Sequence, residues 1–149
     1  MDKPNYKDVE LILKFYELRR EKELRKARMW FDITSFFNKV DYAKFKKKLL
    51  SGCKEERYIR MVAGYWNMVA TIVNFGLINE ELFFRTNSED IKVWKKIEPF
   101  IEEIRKDLGA SYYRDLQNLV ERHLAYIARE DGKEISQSYS NFLSKRNDR

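Results

Sequence analysis

From Val9 to Phe31 the apolar residues Val9, Ile12, Leu13, Tyr16, Leu24, Ala27 and Phe31 recur at helical spacing around Arg20. The spacing predicts one long amphipathic helix that starts near Pro4 and Asp8. Leu11, Phe15 and Leu18 lie opposite the seam of Val9, Ile12, Leu13 and Tyr16, so the first half of this helix needs cover on two faces. A symmetric pairing of two chains through Leu11, Phe15 and Leu18 supplies that cover, and a homodimer is expected. A C-terminal segment folded back with Phe142 and Leu143 would hide the same face.

Further along, Asp41 caps a helix through "YAKFKKKLL" that ends at Gly52, with Tyr42, Phe45 and Leu49 inward. The next helix runs from about Glu55 to Phe75 and stops at Gly76. Asn79 caps a short helix through "EELFF", Ser88 caps another, and Pro99 divides that one before Gly109. From Ser111 a last helix places Tyr112, Leu116, Leu119, Val120, His123 and Ile127 on one side. No stretch alternates with period two, and no Gly- or Pro-rich linker divides the chain. The pattern predicts an all-α single-domain bundle of about five to six helices over residues 1–132, with a polar tail over 133–149.

The third of these helices contains "GYWNMVATIVNFG", thirteen uncharged residues in a chain that is 36% charged. A membrane span needs about 20 predominantly apolar residues, so no transmembrane segment is read here. Tyr58, Val62, Tyr65, Val69 and Ile72 form one seam, and Ile59, Ala63, Trp66, Ala70 and Val73 its neighbour. A helix apolar over most of its girth is surrounded by others. Its remaining stripe carries Arg57, Arg60, Gly64, Asn67, Thr71 and Asn74. Small uncharged polar groups in so charged a chain point to a half-buried face, whose amides need partners. They either satisfy the protein's own backbone, with Gly64 admitting a neighbouring helix, or line a ligand groove built from Gly64, Asn67, Thr71 and Asn74.

Length and composition fit this architecture. A chain of 149 residues buries roughly 68–70% of its unfolded surface as one domain. At 44% hydrophobic and 15% aromatic it is far from a disordered composition. The single cysteine, Cys53, has no intramolecular partner and the N-terminus lacks the order of a secretion signal, which points to a reducing, cytoplasmic setting. Of the net charge of +6, the excess lies in residues 1–60, with 17 Lys/Arg against 10 Asp/Glu. There Lys44, Lys46, Lys47 and Lys48 interleave with Tyr42 and Phe45, the residue types that grip a phosphate backbone and stack bases. The same two aromatics also attach their helix to the core.

Catalytic chemistry finds few residues to work with. His123 is the only histidine, so a two-His metal site cannot be built, and Val120 occupies the position a Glu-x-x-His pair requires. On the apolar side of its helix, His123 reads as a core residue bonded to a backbone group. Cys53 and His123 form the one conceivable nucleophile–base pair, and nothing in the sequence brings them together. The carboxylate pairs Glu80/Glu81, Glu89/Asp90 and Glu102/Glu103 are adjacent, so their members diverge on a helix. The glycines are isolated and build no phosphate loop. No cofactor or metal is expected.

The stretch from about Tyr65 to Tyr113 resembles small helical bacterial proteins catalogued only as domains of unknown function. The features are "NEELFF" after "NFGLI", then "VWKKIEPFIEEIR", then an aromatic-rich start to the last helix. The resemblance implies an all-helical fold and no particular activity. Together these readings favour a non-enzymatic helical interaction module whose partner is a protein or a second copy. The alternative is an accessory protein that binds nucleic acid or an anionic partner through the basic patch, and an enzyme ranks third.

Overall fold

The computed structural model describes residues 3–39 and 41–131. The tail beyond Gly132, with Phe142 and Leu143, lies outside the described residues. In chain order the helices are α1 Tyr6–Arg19, α2 Lys22–Ile33, α3 Phe36–Lys39, α4 Tyr42–Leu49, α5 Lys54–Asn74, α6 Glu80–Thr86, α7 Glu89–Ile97, α8 Ile101–Leu108 and α9 Arg114–Asp131, with a 3₁₀ turn Glu98–Phe100 between α7 and α8. The fold is the all-α bundle that the periodicity requires.

α5 is the central element and packs against α9, α2, α7 and α4. Val62, Trp66, Val69 and Val73 are almost fully buried and Tyr65 nearly so, while Ile72 is half-buried. Phe45 and Phe100 stack at 4.6 Å between ring centres, which ties α4 to the turn before α8. That turn exists because Pro99 cannot donate a helical hydrogen bond.

Most boundaries follow local chemistry. The Asp41 side chain accepts from Lys44 N at 2.9 Å, and Asn79 Oδ1 accepts from Leu82 N at 2.8 Å, so both cap as expected. Ser88 occupies the N-cap of α7 but its side chain makes no capping bond. Gly76, at φ +70°, ends the central helix in a left-handed conformation that disfavours side chains. The last helix starts later than Ser111, after Tyr113 has adopted φ +52°, a strained value for an aromatic residue. Arg105 steadies that turn, donating from Nε to Tyr112 O at 3.1 Å and from Nη2 to Gln117 Oε1 at 2.7 Å.

The long first helix is where the structure departs from the periodicity. It breaks at Arg20–Glu21 with no glycine or proline present. Glu21 caps α2, its carboxylate accepting from Glu23 N at 3.0 Å and Leu24 N at 2.9 Å. Extending the phase of Leu24, Ala27 and Phe31 back through an unbroken helix therefore assigns the wrong face of α1 to the core. Phe15 is 5% exposed, whereas Leu13 and Tyr16 are 61% and 52% exposed.

Candidate functional site

α1 is fastened at both ends. At its start Asn5 Oδ1 accepts from Lys7 N at 2.8 Å, and Asp8 Oδ2 accepts from Asn5 N at 2.7 Å, a reciprocal capping box. The second oxygen of the buried Asp8 accepts from Asn79 N at 2.7 Å, which pins α1 to the start of α6. Farther along, Tyr65 donates its hydroxyl to Phe15 O at 2.6 Å. Burial pushes the Tyr65 phenol well above its ordinary value, against the opposing pull of Arg19.

The elbow between α1 and α2 is held by Arg28. It donates to Glu89 from Nε at 2.7 Å and Nη2 at 2.5 Å, and its Nη1 reaches Arg19 O at 3.1 Å, a carbonyl at the open end of α1. Trp66 Nε1 adds a hydrogen bond to Glu89 Oε1 at 3.2 Å. Burial by itself would raise the Glu89 carboxyl, but Arg28, Trp66 and Arg19 outweigh it and hold the group below its usual value. The Arg19 guanidinium lies over the Trp66 ring at 5.4 Å.

With Asp8 and Phe15 turned inward, the outer side of α1 carries an apolar stripe that no other described residue covers. Tyr6, Val9, Leu13 and Tyr16 are 88%, 43%, 61% and 52% exposed, and their three- and four-residue steps align them in one stripe about 15 Å long. Of the self-association set Leu11, Phe15 and Leu18, the structure buries Phe15, half-buries Leu11 and leaves only Leu18 exposed. The face needing cover is therefore that of Val9, Leu13 and Tyr16, which the periodicity assigns to the core, while Ile12 of the same seam is half-buried and packs against the core.

The polar stripe of α5 faces the start of α9. Asn67 Oδ1 accepts from Leu116 N at 3.1 Å. Thr71 Oγ1 donates to Asp115 Oδ2 at 3.1 Å and Asn74 Nδ2 to Asp115 Oδ1 at 2.8 Å. Arg122 Nη2 in turn donates to Asn74 Oδ1 at 2.7 Å. Asn67 thus satisfies a first-turn N–H of α9, where helix donors lack partners, while Asn74 is held by the side chains of Asp115 and Arg122. Gly64 is exposed with nothing within 4 Å of where a Cβ would stand, so it is not a point of close helix approach.

His123 is a core residue, but its partner is a carboxylate. Its Nδ1 lies 2.8 Å from Asp90 Oδ2, both side chains are buried, and the ring stacks on Phe84 at 4.4 Å. Asp90 Oδ1 has no hydrogen-bond partner among the described residues. Adjacent on α7, Glu89 and Asp90 diverge as helical neighbours must, one to the elbow and one to His123. The adjacency of the two in the sequence showed that they diverge, but not these long-range partners. Cys53 stands apart at the N-cap of α5, its Sγ donating to Lys48 O at 3.5 Å.

In the basic helix α4, Lys46 pairs with Asp107 at 3.0 Å and Lys48 with Glu55 at 3.5 Å, while Tyr42 donates to Asp107. Lys44 and Lys47 are exposed. Among the described residues no cluster of His, Cys, Asp and Glu could hold a metal ion, and no helix is long and apolar enough to cross a membrane.

The family model for a domain of unknown function (DUF4760) matches residues 6–123, and the chain belongs to that family. Among the curated proteins and the solved structures nothing matches this chain.

Proposed function

We propose that this member of a family without an assigned activity is a non-enzymatic helical interaction module, and that its partner on α1 is a second copy of the chain. The observation that carries the reading is the exposed stripe of Tyr6, Val9, Leu13 and Tyr16 on a helix fastened along its other side. Exposed aromatic and aliphatic side chains aligned on one helix face lose unfavourable hydration when a second helix covers them. The reducing, cytoplasmic setting read from the lone Cys53 fits such a role.

Charge favours a copy of the same helix, antiparallel. The register that levels Val9 with Leu13 of the second copy also levels Tyr6 with Tyr16. On one flank it brings Glu10 within a helical turn of the other Lys14 and of the other Glu10, and Glu17 within a turn of the other Lys3, so that by symmetry four attractive pairs stand against one repulsive one. A parallel pair would set the Glu10 and Glu17 flank against Asn5 and Ile12, which carry no charge. A two-fold arrangement of this kind closes on itself.

Sedimentation equilibrium tests it. The intact protein is expected to be a dimer, and a Val9→Glu, Leu13→Glu variant a monomer with unchanged helical circular dichroism, since both positions are exposed. Glu10→Lys with Glu17→Lys should weaken the dimer, and adding Lys3→Glu with Lys14→Glu should restore it. A protein that stays monomeric at the highest attainable concentration refutes the reading.

A further inference from the structure

The outer sides of α2 and α7 enclose a cleft of about 240 Å³ whose lining holds four cations and two carboxylates. Arg25 and Arg28 stand three residues apart on α2, and Lys92 and Lys96 four residues apart on α7. Like charges at these spacings oppose helix formation, and here two such pairs line the same space. The carboxylates do not neutralise the group as a whole. Both oxygens of Glu89 are held by Arg28, and Glu89 also receives Trp66. Asp32 lies 3.9 Å from Lys92 Nζ, at the outer limit of an ion pair.

The cations divide by role. Arg28 is committed to Glu89 and to Arg19 O. Lys96 donates to the Phe31 and Asp32 carbonyls, the first a close contact and the second at 3.1 Å, and so closes the C-terminal end of α2. Arg25 is exposed; its backbone N–H donates to Glu21 O at 2.8 Å, and its side chain makes no hydrogen bond or ion pair among the described residues. The Lys92 side chain is 30% exposed. Phe31, Val62 and Val93 close the floor of the cleft but are almost fully buried, and its accessible apolar surface is that of Met29, 64% exposed.

We infer that this cleft binds a phosphate monoester carried on a compact apolar or aromatic group. The phosphate meets Arg25 and Lys92, and the organic group lies against the exposed Met29 side chain. Arginine offers a planar fork and lysine a point charge, the pairing common at phosphate sites. The surplus of two positive charges in the lining matches a phosphomonoester dianion.

The test is a titration of the intact chain with phenyl phosphate, followed by amide chemical shifts. Saturable shifts confined to α2, α7 and the facing part of α5 are expected. Inorganic phosphate should bind about tenfold more weakly because it lacks the apolar contact, and phenol alone should be silent. Arg25→Ala with Lys92→Ala, both outside the packed core, should weaken phenyl phosphate by about tenfold or more. A Lys44→Ala, Lys47→Ala control should leave it unchanged. No saturable shift, or shifts spread over α4 and preserved in the Arg25/Lys92 variant, overturns the inference.

Discussion

Arg28 grips Glu89 through two hydrogen bonds of 2.7 and 2.5 Å, joining residues 61 positions apart in the chain. The same guanidinium reaches the last turn of α1, so a single side chain couples the elbow to α7 and, through Trp66, to the central helix. Both partners are largely withdrawn from solvent, with side chains 25% and 21% exposed. Removing Arg28 leaves a desolvated Glu89 with only Trp66 and the more distant Arg19, 3.6 Å away, and removing Glu89 leaves Arg28 with only the Arg19 carbonyl.

Arg28→Ala should therefore cost about 2–3 kcal/mol, below the value for a fully buried pair because some exposure remains. Chemical denaturation measures this. Hydrogen exchange should rise most in α1, whose end loses its anchor, and least in the centre of α5.

The Glu89 carboxyl is depressed in the fold, which fixes the sign of its pH dependence. Its contribution is fully present above the unfolded carboxyl value of 4.5 and is lost as pH falls through the lower folded value. Glu89→Gln should lower stability at neutral pH and flatten the acid limb of the stability curve. An acid limb as steep in the variant as in the parent would show that other carboxylates carry it.

Phe15 and Leu13 give opposite results if α1 is seated as described. Phe15→Ala should cost about 3–4 kcal/mol through lost burial and a cavity, whereas Leu13→Ala should stay within about 0.5 kcal/mol in the monomer. Comparable losses at the two positions would mean that the faces are misassigned.

That contrast also marks where the sequence was legible. The apolar girth of α5, the caps at Asp41 and Asn79 and the stop at Gly76 are local signals, and each is found where the pattern placed it. The face of α1 was not legible because residues 19–22 are good helix formers. The break is held by side chains, Glu21 from nearby and Arg28 through Glu89, and no backbone rule announces it. His123 was read correctly as core, yet its partner Asp90 lies 33 residues away. Periodicity reports which side of a helix is buried, and nothing about what is buried opposite.

Asn67 carries a local prediction about α9. Asn67→Ala leaves Leu116 N–H without its acceptor at 3.1 Å, and should cost about 1–2 kcal/mol by denaturation, in line with loss of a helix cap. The first-turn amides of α9 should then exchange faster. An unchanged exchange pattern would show that this bond does not secure the helix start.

For the basic helix, binding to nonspecific DNA or RNA is expected to stay at background. Lys46 and Lys48 are already paired with Asp107 and Glu55, which reduces the positive potential available to phosphates. Submicromolar, salt-sensitive binding that is lost when Lys44, Lys47 and Lys48 become Glu would reverse this expectation.

The last prediction concerns Asp90 and His123, whose contact at 2.8 Å lies within the core. Removing either partner strands the other where water cannot replace it. Asp90→Leu and His123→Phe should each cost about 1–3 kcal/mol or more, depending on how well the new side chain packs. The double substitution removes the polar demand altogether and keeps an aromatic ring against Phe84, so it should cost less than the sum of the two. A double-mutant cycle followed by urea denaturation reads the coupling directly. Strict additivity would mean that the pair contributes no specific interaction, and that His123 is retained only as a filler behind Phe84.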